Sequence, residues 1–89
     1  MKAVLLTKPG CTPCEAMRQV LLEAEGEFCL DVEERDVTAD PELAQFEMSV
    51  PLLLLGEQPT FRFFVTREAL TRVLEEKGCP RRWSSPVGP

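Results

Sequence analysis

The sequence predicts an α/β domain: one mixed four-stranded sheet, built in the order β-α-β-α-β-β-α, with helices on both faces. Three observations predict it. The apolar runs at 3–6 and 51–55 are too short for helices and read as strands covered on both sides. Between them, apolar residues at 16, 17, 20, 21 and 24 recur at the spacing of one helix face. Near the end, a turn at Gly56-Glu57-Gln58-Pro59 joins two apolar runs into a hairpin, and helical spacing resumes after it. A chain of 89 residues holds one such domain.

The first strand, Ala3 to Leu6, is ended by Thr7-Lys8-Pro9-Gly10. The first helix follows the pair Cys11 and Cys14, buries Ala16, Met17, Val20, Leu21 and Ala24, and is expected to stop at Gly26. The second strand lies within 28–37, with Phe28, Leu30 and Val32 on one side and the alternation failing at Glu34. Its charges suit a sheet edge, where they discourage pairing with another chain. Asp40 caps the next helix and Pro41 takes its first position; it is expected to run to about Glu47 and to bury Leu43 with Phe46. Pro51 cannot continue that helix, and the buried strand PLLLL begins there. The fourth strand is expected over 60–64, with Phe61 and Phe63 on the same side. Thr66 caps the last helix, whose buried stripe is Leu70, Val73 and Leu74. Joining the first two strands through a helix makes them a parallel pair. The domain is expected over 1–77. Residues 78–89, with seven Gly, Pro or Ser among twelve, read as a flexible tail, with Trp83 as a candidate anchor.

Charge narrows the partners. Residues 23–47 hold ten carboxylates against Arg35 alone, within a chain of formal net charge −5. That acidic side excludes nucleic acid there and reads as a solvated face. No apolar run reaches the roughly 20 residues of a membrane span, and the residues at the start do not form a secretory signal. The expectation is a cytoplasmic monomer, in which four cysteines point to catalysis or metal binding rather than to a disulfide framework.

The stretch TKPGCTPC carries the chemistry. A CxxC alone fits a redox pair, half a metal site, or two small residues. CxxC at a strand-to-helix junction, with Val50-Pro51 some forty residues later and a hairpin and helix to finish, resembles the glutaredoxin family of the thioredoxin fold. The resemblance covers residues 2 to about 77. It implies a thioredoxin-like fold and a dithiol–disulfide oxidoreductase with Cys11 and Cys14 as the catalytic pair. The physical chemistry agrees. Cysteines three apart in a first helical turn face one side and lie within disulfide reach. The unsatisfied N–H groups and the positive dipole end there favour a thiolate. Such placement brings a cysteine pKa from about 8.5 into the range of roughly 3.5–7.5. Cys11, at the loop edge, is the expected nucleophile, and Cys14 the thiol that resolves its mixed disulfide. Pro13 costs nothing in a first turn.

The resemblance also implies a cis bond at Val50–Pro51, with the backbone of Val50 pairing with an extended substrate segment. Lys8 corresponds to a residue that meets a glutathione carboxylate, and Thr12 and Pro13 stand between the cysteines where glutaredoxins carry an aromatic. The paired-glycine turn and acidic residue of glutathione-binding members are replaced by Val65-Thr66-Arg67-Glu68, which leaves Arg67 as the group to attract a carboxylate. The chain therefore most resembles the small glutaredoxin-like type with this shortened ending. The implied partners are a disulfide-containing protein or small-thiol substrate and an external reductant, glutathione or thioredoxin reductase, with no bound cofactor. Cys29 reads as a half-buried small hydrophobe and Cys79 as a thiol at the start of the tail; a bond between them is not fixed by spacing. Two rival readings are a metal-transfer module using the CxxC thiolates and a non-enzymatic interaction domain whose main surface is the acidic block. A zinc site lacks ligands, since the chain has no histidine and no second CxxC.

Overall fold

The computed structural model describes residues 1–82. Its elements are β1 (Lys2–Thr7), α1 (Thr12–Glu27), β2 (Asp31–Asp36), a 3-10 helix (Pro41–Ser49), β3 (Leu52–Leu55), β4 (Gln58–Arg62) and α2 (Arg67–Glu76). The four strands form one sheet in the order β2-β1-β3-β4. β1 runs parallel to β2 and antiparallel to β3, and β4 pairs antiparallel with β3 at the far edge. Among the described residues no helix is long and apolar enough to cross a membrane.

Alternation along β1 and β3 divides the core in two. Ala3, Leu5, Leu53 and Leu55 face α1 and α2 and pack with Met17, Leu21, Ala24, Phe28, Leu70 and Leu74. Leu6 and Leu52 point the other way, into a smaller cluster with Cys14, Val37 and Val50, against which Leu43 and Phe46 of the 3-10 helix pack. Burying a large apolar side chain stabilises a fold by roughly 1.5–3 kcal/mol, so the first cluster dominates stability while the second surrounds the cysteines. In a 3-10 helix, residues three apart stack on one another, which places Leu43 and Phe46 on one row facing the sheet. No residue of that helix is fully buried.

Several boundaries differ from the sequence expectation. Gly26 does not stop α1: the helix continues through Glu27, and the Phe28 N–H closes it on the Ala24 carbonyl at 2.8 Å. Phe28 is fully buried, and Glu27 pairs with Arg67 at 2.6 Å and Arg81 at 2.9 Å, so the last turn is held by its surroundings. β2 starts three residues later than the expected stretch, because Phe28 bridges to Arg81 instead and the Cys29 N–H bonds to the Pro80 carbonyl. The apparent break in alternation at Glu34 is not a change of face. Glu34 pairs with Leu5 in register, on the α1 side, and its carboxylate is taken up there by Arg18. The helix expected from Pro41 is a 3-10 helix; Asp40 caps it by accepting the Glu42 N–H at 3.0 Å, and Leu43 and Phe46 are only half-buried.

β4 begins earlier than 60, directly after a two-residue turn whose Gly56 and Glu57 both have positive φ, +58° and +70°, as the tightest hairpins require. Pro59 is tolerated within it because β4 is an edge strand. Phe63 leaves the strand with φ +75° and is exposed, so it does not share the side of Phe61. Thr66 caps α2 by accepting the Ala69 N–H at 3.1 Å, with Leu70 and Leu74 buried and Val73 partly so. Residues 78–82, the beginning of the stretch read as a tail, lie against the end of α1. The Arg82 N–H bonds to the Glu27 carbonyl, and Cys79 sits in the first core cluster. Trp83 and the rest of that stretch lie outside the described residues.

Candidate active site

β1 delivers the chain to the site. Its last residue, Thr7, is nearly buried, and the connection Lys8-Pro9-Gly10 turns at Gly10, whose φ of +72° suits glycine. Cys11 then caps α1. Its backbone is extended, its Sγ accepts the Cys14 N–H at 3.1 Å, and its carbonyl accepts the Glu15 N–H at 3.3 Å. Pro13, in the first turn, removes an N–H that would have had no helical partner. Cys11 and Cys14 form a disulfide with their Cα atoms 5.2 Å apart. The two sulfurs are unequal in access: Cys14 is 1% exposed, while Cys11 is half-buried at the helix tip beside exposed Thr12 and Pro13.

The wall beside the disulfide comes from the 3-10 helix and β3. Val50 and Pro51 are buried, the bond between them is cis, and Val50 shares a cluster with Cys11 and Cys14. The Pro51 carbonyl accepts the Phe63 N–H at 2.7 Å, which brings the connection between β4 and α2 alongside. On the opposite side, Thr7, Lys8, Arg18, Glu34 and Asp36 line a polar hollow of about 330 Å³. There the Arg18 Nε donates to Glu34 Oε1 at 2.7 Å and its Nη2 to Oε2 at 2.5 Å, and the Thr7 hydroxyl donates to Oε2 at 3.2 Å. The hydrogen bond from Arg18 holds the Glu34 carboxyl below its ordinary pKa, with the charge of Arg18 and the Thr7 hydroxyl adding to it against partial desolvation. Arg18 sits one helical turn after Cys14, so this group ties the disulfide-bearing end of α1 to β1 and β2.

Of the residues named from sequence, Cys11, Cys14, Thr12, Pro13, Val50 and Pro51 come together, and Lys8 lines the polar hollow on the other side of the disulfide. Arg67 does not. Its guanidinium pairs with Glu27 at the other end of α1, which by helix geometry is about 24 Å from the cysteines. The first residue of α2 lies beside the last turn of α1, and an anion was already in place there. The same end holds the other two thiols. Both are free: Cys29 is exposed rather than half-buried, and Cys79 is buried. The four cysteines therefore occupy two separate places, and among the described residues no group of three or more cysteine or carboxylate side chains is arranged to hold a metal ion. What sequence reading missed is the exposure of Met48, Phe63 and Phe64 around Pro51. The only signal for it was a Phe-Phe pair running past the end of a short strand.

Comparison with known proteins bears on this geometry. Residues 2–75 match the family model described as a glutaredoxin-like domain (DUF836). No curated protein matches the sequence. Among solved structures, a variant of the thioredoxin-like protein BC3987 superposes with a TM-score of 0.61 at 20% identity, covering 81% of this chain and 97% of that one. Thioredoxin 1 from the thermophilic eubacterium Thermosipho africanus gives a TM-score of 0.55 at 21% identity, over 88% and 99% of the two chains. These likenesses show the fold.

Proposed function

We propose a function for this chain from the premise that it belongs to the glutaredoxin-like domain family (DUF836) and has the thioredoxin-like fold: it is a thiol–disulfide oxidoreductase working by dithiol exchange. The observation that carries this reading is the Cys11–Cys14 pair at the start of α1, half-open at Cys11 and closed at Cys14.

In the reduced protein, the Cys11 thiolate attacks one sulfur of a substrate disulfide. A mixed disulfide forms at Cys11 and the other substrate sulfur leaves as a thiolate. The Cys14 thiolate then attacks the Cys11 sulfur, closes the Cys11–Cys14 bond and releases the second substrate thiol. Two electrons pass from the dithiol to the substrate, and an external donor, glutathione or thioredoxin reductase, returns them. The Cys14 N–H, already aimed at the Cys11 Sγ, and the helix dipole favour negative charge at that sulfur. Lys8 and the backbone of Val50 border the place a substrate occupies, and the reducing cytoplasm is the compartment in which such a pair cycles.

The test is the alkylation rate of Cys11 against pH in wild type and Cys14→Ser, together with the redox midpoint of the pair. The expected result is a Cys11 pKa well below the free-thiol value of about 8.5 and a reversible disulfide. In Cys14→Ser, the mixed disulfide with substrate should persist and be visible by mass. An unshifted thiol that never pairs with Cys14 defeats the reading.

A further inference from the structure

Dithiol exchange at Cys11 and Cys14 leaves two thiols without a role, and the fold brings them together at the far end of α1. Residues 78–82 form a strap across that end. Phe28 bridges to Arg81, the Cys29 N–H bonds to the Pro80 carbonyl at 2.8 Å, and the Arg82 N–H bonds to the Glu27 carbonyl at 2.9 Å. The Cys79 thiol reaches the same peptide. Its Sγ lies 3.7 Å from the Cys29 carbonyl oxygen, which also accepts the Met1 amine at 2.9 Å. A carbonyl oxygen is about 2.4 Å from its own Cα, so the Cys79 sulfur stands within about 6 Å of the Cys29 Cα. The two thiols differ in access: Cys29 is exposed, whereas Cys79 is 7% exposed and packs in the larger core cluster. An exposed thiol with a second thiol at hand is the arrangement that answers oxidants reversibly.

We propose that Cys29 and Cys79 are a second, peroxide-driven redox pair whose disulfide locks the strap to the start of β2. The Cys29 sulfur attacks one oxygen of hydrogen peroxide; the O–O bond breaks, Cys29 becomes a sulfenic acid and water leaves. The Cys79 sulfur then attacks the sulfenic sulfur, its proton and the hydroxyl leave as a second water, and the S–S bond closes. Two electrons pass from the two thiols to the peroxide. Closure requires Cys79 to turn out of the core by a few ångströms, and the strap has little to hold it back. Gly78, directly before Cys79, has φ +75° and open space where a side chain would stand. Beyond it, Arg81 ties the strap to Glu27 at 2.9 Å and Glu75 at 2.7 Å through side chains 38–51% exposed, and exposed ion pairs hold weakly. The length of α1 keeps the Cys11–Cys14 disulfide of the same molecule out of reach, so the oxidant comes from outside. Once closed, the bond makes a loop of about fifty residues that contains β2, the 3-10 helix, β3, β4 and α2, and a loop of that size strongly restricts the unfolded chain.

The experiment takes the full chain with Cys11 and Cys14 already joined, so that Cys29 and Cys79 are its only free thiols. After exposure to hydrogen peroxide, remaining thiols are blocked under denaturing conditions and the tryptic peptides are mapped by mass. The expected product is a monomer in which peptide 19–35 is joined to peptide 78–81 with the loss of two hydrogens. Its melting point should rise by on the order of 10 °C. Cys29→Ser should show neither the linked peptides nor the rise. Cys29 carried on to sulfinic or sulfonic acid, or joined to Cys29 of a second molecule, with Cys79 still open to alkylation, overturns the pairing. Linked peptides without a rise in melting point overturn the lock. Neither readout involves turnover at the CxxC, so the oxidoreductase reading stands or falls separately.

Discussion

Replacing Leu21 by alanine, with Leu22→Ala as its neighbour control, separates the buried stripe of α1 from its helical propensity. Both substitutions make the same chemical change one residue apart in the same helix. Leu21 is 0% exposed and packs with Leu5, Met17, Phe28 and Leu74, whereas Leu22 is 50% exposed. Removing a buried leucine side chain beyond Cβ forfeits about 0.8 kcal/mol for each methylene-sized group, and the unfilled space adds to the loss. Together these come to about 3 kcal/mol, within the usual range of roughly 2–5. A domain of this size is stable by only about 5–12 kcal/mol, and its melting point moves by roughly 4–8 °C for each kcal/mol. Leu21→Ala should therefore melt more than about 10 °C below wild type, and Leu22→Ala within a few degrees of it. The assay is thermal and urea unfolding followed by far-UV circular dichroism, on protein held oxidised throughout. Equal losses at the two positions, or a loss below about 1 kcal/mol at Leu21, would refute the assignment of the α1 face that anchors the CxxC turn.

Two further substitutions test the charged groups that frame the domain. The hydrogen bond from Arg18 depresses the Glu34 pKa from 4.5, so this group stabilises the fold above its unfolded value, and the contribution disappears as pH falls through the depressed folded value. The stability difference between wild type and Glu34→Gln should accordingly be largest near neutrality and shrink below about pH 4; a pH-independent difference in urea midpoints would contradict the pairing. Glu27→Gln removes the anion shared by Arg67 and Arg81 and should loosen residues 79–82 from the end of α1. Limited trypsin digestion should then cut after Arg81 and Arg82 faster than in wild type, and unchanged cleavage would show that the Arg81–Glu75 pair and the bonds at Cys29 and Arg82 suffice without Glu27.

Most of the architecture is legible in the chain because it rests on short-range rules. Apolar runs, helical spacing, the Asp40 and Thr66 caps and the CxxC at a helix start each act within a few residues. What escaped depends on partners far away in sequence. Gly26 looked like a stop, but the burial of Phe28 and the arginines that meet Glu27 carry the helix past it. Glu34 looked like a lapse in alternation because the cation that accepts it, Arg18, lies on another element. Arg67 looked available to a substrate for the converse reason, since nothing local announces Glu27 as its partner. The candidate site divides in the same way. Its cysteines and the Val50-Pro51 wall are read from adjacent letters, whereas the exposure of Phe63 and Phe64 goes with β4 ending at Arg62 and Phe63 turning to a positive φ, which nothing local in the sequence announces.

The two faces of the sheet are guarded unequally. Two α-helices seal one side, while the other relies on a 3-10 helix that buries none of its residues completely and has a hollow on each flank, about 310 and 530 Å³. Few buried contacts mean a low free energy of local opening for this segment. It ends at Val50, directly against the cluster that holds Cys14. Opening there would expose Cys14 to water while leaving the larger cluster on the helical face in place, so the shielding of that sulfur rests on the thinner of the two layers.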